Sequence, residues 1–124
     1  MPAKKILVVD DEPEVRQLME QFLTGKGFNV RVAENGRLGL AALESFTPDL
    51  VLLDMHMPEL DGIETLKQLA GRSPATPVIM VTVNDDVETT SRLLQLGAAD
   101  YVPKPFDLDY LEQAINIQLS ATRD

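Results

Sequence analysis

At 124 residues, with a formal net charge of −9 and no run of Lys or Arg, the chain can bury roughly two thirds of the surface that it exposes when unfolded, and it is ill suited to neutralising nucleic-acid phosphates. The lack of cysteine excludes a disulfide framework and thiolate metal sites. Met1-Pro2-Ala3-Lys4-Lys5 leads into too few apolar residues before Asp10 for a signal-peptide core or a membrane span, so the expectation is a cytoplasmic protein touching neither membrane nor nucleic acid.

An apolar run at 6–9 predicts the first strand. Val15, Leu18, Met19, Phe22 and Leu23 follow with the spacing of a core-facing helix, started by Pro13 and stopped by Gly25 and Gly27. The second strand is read at 28–32, and Asn35 then caps a helix through Leu38, Ala42 and Leu43. A third strand at 50–53 precedes a helix marked by Ile63, Leu66, Leu69 and Ala70. After the fourth strand at 78–81, Asp85 or Asp86 caps a helix ended by Gly97, with a broad, weak stripe of Val87, Leu93, Leu94 and Leu96 around Thr89, Thr90 and Ser91. A short fifth strand at 99–102 leads to a helix capped by Asp107, with Leu108, Leu111, Ala114, Ile115 and Leu119 on one face.

Five strands, each nearly uniform in apolarity, alternate with five helices, which predicts an α/β fold with a doubly wound parallel sheet covered on both faces. No repeat, low-complexity stretch or linker divides the chain, so residues 1–124 are read as a single domain with a polar tail at 120–124.

Sites in such sheets form beyond the carboxyl ends of the strands. Asp10, Asp11 and Glu12 follow the first strand, Asp54 the third and Thr82 the fourth, while Lys104 with Pro105 follows the fifth. Asp10 and Asp11 alone would serve equally as a helix-capping pair. Asp54 changes the balance, because two carboxylates about 4 Å apart at an effective dielectric near 20 repel by roughly 4 kcal/mol, which a cation relieves. Oxygen donors without His or Cys partners favour Mg²⁺. A carboxylate there can attack a phosphorylated donor and form an acyl phosphate, with Lys104 neutralising the transferring oxygens. Pro103 and Pro105 fix the backbone of Lys104 more tightly than a solvated surface lysine requires.

Val8-Val9-Asp10-Asp11, Leu53-Asp54-Met55-His56-Met57-Pro58, Asp61-Gly62, Val81-Thr82 and Gly97-Ala98-Ala99-Asp100-Tyr101-Val102-Pro103-Lys104-Pro105-Phe106 together resemble the receiver domains of two-component response regulators, over essentially the whole chain. The resemblance implies a flavodoxin-like (βα)5 fold with strand order 2-1-3-4-5. It implies a phosphoacceptor domain rather than an enzyme, with Asp54 accepting the phosphoryl group from a sensor histidine kinase or histidine phosphotransfer protein. By the same resemblance Asp11 binds Mg²⁺ directly, Asp10 binds it through water, and Asp54 and the main-chain carbonyl of His56 complete the protein's share of the shell. Lys104 pairs with the phosphoryl group, Thr82 turns to hydrogen-bond it, Tyr101 changes burial with Thr82, and the Lys104–Pro105 bond is cis. The surface of the fourth helix, fifth strand and fifth helix then controls an output partner or domain.

Two positions beside the acceptor are individual in this chain. Val83 is bulkier than the alanine common there and is expected to narrow access; His56, the only histidine, reads first as a rim side chain whose carbonyl alone matters, and alternatively as a residue that, with Asn84, tunes hydrolysis of the acyl phosphate. Ala99 and Ala114 replace an aspartate and an arginine of the ion-paired dimer of winged-helix regulators, so a monomer or a differently built phosphorylation-dependent dimer is expected. Two rival classes each lack a residue they need. A haloacid-dehalogenase-type phosphohydrolase wants a second acid two residues beyond its nucleophile, where Asp54 has His56; a flavodoxin-like cofactor binder wants a phosphate loop where Asp10-Asp11-Glu12 would repel phosphate.

Overall fold

The computed structural model describes residues 3–57, 61–83 and 86–121. Along the chain run β1 (Lys5–Val9), α1 (Pro13–Gly25), β2 (Asn29–Ala33), α2 (Gly36–Ala42), β3 (Leu50–Asp54), α3 (Gly62–Arg72), β4 (Val78–Thr82), α4 (Val87–Gln95), β5 (Asp100–Pro103) and α5 (Leu108–Ala121). The strands form one parallel sheet in the order β2-β1-β3-β4-β5, as the flavodoxin-like expectation requires. Ser120 and Ala121 of the expected tail belong to α5, and Thr122, Arg123 and Asp124 lie outside the described residues. No helix among the described residues is long and apolar enough to cross a membrane.

Alternating strand residues send side chains to opposite faces, so the apolar runs build two cores. Leu7, Val9, Val51, Leu53 and Met80 pack beneath α2, α3 and α4 with Leu40, Leu66 and Leu93. Ile6, Val8, Leu50, Leu52 and Val81 pack beneath α1 and α5 with Met19, Leu23, Leu111 and Ile115. Every residue of β3 and β4 is buried, which is why these strands read as continuous apolar runs.

Uniform burial fails at the edge. In β2 the exposed Asn29 and Arg31 alternate with more buried neighbours, because only one side of that strand has a full cover. Leu18 is likewise 45% exposed: it sits on the border of the α1 stripe, and Met19 and Leu23 carry the burial. The caps follow the sequence. The Asn35 side chain accepts from Leu38 N–H, Asp86 accepts from Thr89 N–H, and Asp107 accepts from Asp109 N–H. Asp85 lies outside the described residues. Gly97 ends α4 at φ +116°, a conformation that a side chain disfavours.

Candidate functional site

Strand register assembles the site. Val9 pairs with Leu53, Asp54 with Val81, and Thr82 with Pro103, so Asp10, Asp54, Thr82 and Lys104 share one sheet edge at the carboxyl ends of four strands. Asp10 is fixed from both sides: its N–H donates to the Ala33 carbonyl, while its Oδ1 accepts from the Glu12 N–H at 2.9 Å. Asp54 closes β3, and its Oδ1 accepts from the His56 N–H at 3.3 Å. Both carboxylates are buried, at 1% and 3% exposure.

Lys104 provides the cation among them. Its Nζ lies 3.1 Å from Glu12 Oε1, 3.2 Å from Asp10 Oδ2 and 3.5 Å from Asp54 Oδ1. The Lys104 N–H donates to the Thr82 carbonyl at 2.7 Å, and the Lys104–Pro105 peptide is cis, as the resemblance implied. Thr82, fully buried, donates its hydroxyl to the Met55 sulfur at 3.2 Å. Tyr101 is half-buried against the cluster that includes Leu93 and Met80.

One positive charge does not neutralise the carboxylates. Burial first, and the Asp10 charge second, push the Asp54 carboxyl up to about 7, against the pull of Lys104 and the His56 N–H. Burial raises Asp10 as well, opposed by the Glu12 N–H and Lys104. Burial alone would lower the Lys104 ammonium, but the charges of Asp10 and Asp54 and its bonds to Glu12 and Asp10 leave it above its ordinary value.

Asp11, at the rim, lines an open cleft of about 460 Å³ together with Met55, His56, Met57, Asp61 and Ile63. Carboxylate oxygens of Asp10, Asp11 and Glu12 come within 4.8 Å of one another, so an acidic cluster able to hold a divalent cation is present. That trio contains Glu12 and not Asp54, which faces the same edge and lies 3.5 Å from the Lys104 ammonium. The donor set is all oxygen, and two buried carboxylates with raised proton affinity are what a hard cation relieves. His56 and Val83 are exposed at the rim, Pro105 is exposed beside Lys104, and Asn84 lies outside the described residues.

Three contributors carry no clear site signal in the sequence. Glu12 holds Lys104 from 92 residues away, and Arg16 on α1 donates to the Asp10 carbonyl at 2.8 Å. Gly62 starts α3 directly against the acceptor strand: a Cβ there would lie 2.4 Å from the Asp54 carbonyl oxygen and 2.5 Å from Met55 Cα, and its N–H donates to the Met55 carbonyl. The adjacent Asp61-Gly62 pair was the one available signal for it.

The sequence model of the response regulator receiver domain matches residues 6–116. The chain is 43% identical over 118 residues to the regulatory protein AtoC of Escherichia coli K12, covering 92% of this chain and 26% of that protein. It is 45% identical over 104 residues to the DNA-binding transcriptional regulator NtrC of Salmonella typhimurium, covering 84% of this chain and 22% of that protein. It thus spans about a quarter of these relatives' lengths. The receiver domain of Francisella response regulator 1452 superposes with a TM-score of 0.91 at 33% identity, covering 97% of this chain and 99% of the other. These likenesses decide against the phosphohydrolase and cofactor-binder readings. With its five-stranded order, its acidic edge and a match across nearly its whole length, the chain belongs to the response regulator receiver domain family, a family of two-component signalling switches and not of catalytic enzymes.

Proposed function

We propose that Asp54 is the phosphoryl acceptor of this receiver, supplied by a sensor histidine kinase or histidine phosphotransfer protein. The observation that carries this reading is the placement of a buried Asp54 carboxylate within 3.5 Å of the Lys104 ammonium, on the same edge as Asp10 and Thr82. A carboxylate oxygen of Asp54 attacks phosphorus as the bond to the donor's leaving group breaks, and the product is a mixed anhydride. Asp11 and Asp54 with the main-chain carbonyl of His56, and Asp10 through water, would hold Mg²⁺, which supplies charge neutralisation to the transferring oxygens. Lys104 pairs with the phosphoryl group, Thr82 donates its hydroxyl to it, and Tyr101 follows Thr82 in its burial.

The new group adds about −1.5 to −2 charges at the mouth of α4 and β5. If it favours the active arrangement by about 3 kcal/mol, the population shifts more than 100-fold. Val87 and Leu94 on α4, and Tyr110 and Ile117 on α5, are exposed apolar residues on the surface through which an output partner or domain would read that shift. The receiver itself, at −9, is not the nucleic-acid contact, and it acts as a monomer or a phosphorylation-dependent dimer. His56 and Val83 at the exposed rim, and Asn84 next in sequence to Val83, set the lifetime of the anhydride.

Incubation with acetyl phosphate and Mg²⁺, followed by intact mass measurement, tests the reading. One added phosphoryl group is expected, lost without Mg²⁺ and lost in Asp54→Asn. An unchanged mass, or equal labelling of Asp54→Asn, would overturn it.

A further inference from the structure

We propose that Met55 is a positioning residue of the switch: its thioether sulfur competes with the phosphoryl oxygens for the Thr82 hydroxyl. The proposal rests on the reading of Asp54 as acceptor and Thr82 as the phosphoryl-binding hydroxyl.

A threonine hydroxyl carries one hydrogen, so it serves one acceptor at a time. Thr82 is fully buried, and its hydroxyl donates to Met55 Sδ at 3.2 Å. The backbone of Met55 is pinned. Its N–H donates to the Val81 carbonyl and its carbonyl accepts from Gly62 N–H, each at 3.0 Å, so it is tied to both β4 and the start of α3. The missing Cβ of Gly62 allows that close approach. Met55 and Tyr101 also pack against the same large apolar cluster beneath α2, α3 and α4.

Acceptor strength gives the device its direction. A thioether is a weak acceptor, whereas a phosphoryl oxygen accepts a charge-assisted bond. The sulfur therefore stabilises the arrangement seen here but yields once a phosphoryl group is present. Leucine fills nearly the same volume without an acceptor, so Met55→Leu removes that stabilisation with little repacking. The switch then moves toward its phosphoryl-binding arrangement.

The test measures the affinity of the full chain for beryllofluoride with Mg²⁺, a mimic of the phosphoryl group, in wild type, Met55→Leu, Thr82→Val and the double variant. Met55→Leu is expected to bind roughly two- to fivefold tighter, the range of one weak neutral hydrogen bond. In the Thr82→Val background that gain disappears, because the hydroxyl through which Met55 acts is gone. A packing role would change affinity equally in both backgrounds, and that result overturns the proposal, as does an unchanged or weakened affinity in Met55→Leu. As a second readout without any phosphoryl mimic, the ¹³C-methyl resonance of Met55 should move in Thr82→Val; a stationary resonance contradicts the contact. If wild type fails to bind beryllofluoride, or Asp54→Asn binds it equally, the acceptor reading falls and takes this proposal with it. Binding that depends on Asp54 without coupling between Met55 and Thr82 removes this proposal alone.

Discussion

Burial and the Asp10 charge raise the Asp54 carboxyl to about 7, and that shift has a definite consequence for stability. A carboxyl whose folded pKa exceeds its unfolded value binds more protons in the folded state between the two. Its stabilising protonation is complete below the unfolded value of 3.8 and is lost as pH rises through about 7. With a chelator present, the urea midpoint should fall between about pH 4 and about pH 7, the interval between the two values. Asp54→Asn should flatten that fall and stabilise the protein at the upper pH by about 1–3 kcal/mol, and a steeper fall in the variant would contradict the burial argument. Gly62 gives a second residue-scale test. A methyl group there meets main-chain atoms of Asp54 and Met55, so Gly62→Ala should cost about 2–3 kcal/mol by denaturant unfolding and impair phosphorylation. Gly71, on the same helix with open space around it, should gain up to about 1 kcal/mol on change to alanine. Equal effects at the two glycines would show that close approach to the acceptor strand is not the cause.

Among the elements, α4 is the most lightly held. Leu93 is fully buried, but Val87 is 80% and Leu94 47% exposed, and the buried Thr90 spends its hydroxyl on the Asp86 carbonyl of its own helix start. Hydrogen exchange should therefore be faster throughout α4 than in β3 and β4, which are buried along their whole length. Leu93→Ala should cost about 2–4 kcal/mol and speed exchange further, and protection in α4 equal to that of β3 would contradict this picture. The same facts explain what could be read from sequence. β3 and β4 were legible because both their faces are buried and their residues are correspondingly apolar. The stripe of α4 was not, because Val87 and Leu94 are apolar residues on its outer side. β2 lies at the sheet edge, so its alternation in Asn29, Val30, Arg31, Val32 and Ala33 records one-sided burial.

Across the whole molecule, the site exists only because four strand ends meet, and the sequence showed this through residue types at matching places: Asp10, Asp54, Thr82 and Lys104 each follow an apolar run. The supports of those residues were hidden for a physical reason. Glu12 and Arg16 look like solvated helix charges, and their contacts to Lys104 and the Asp10 carbonyl arise only when distant segments pack. The Met55 sulfur likewise meets Thr82 across 27 residues of chain. The switch nevertheless turns on one covalent event, and the site of that event can be located chemically. Borohydride reduces an acyl phosphate of aspartate to homoserine. After treatment with acetyl phosphate and Mg²⁺, reduction and peptide mass mapping should place homoserine at position 54 and nowhere else. Homoserine at Asp10 or Asp11, or none in a protein that has gained phosphoryl mass, would contradict the assignment of Asp54.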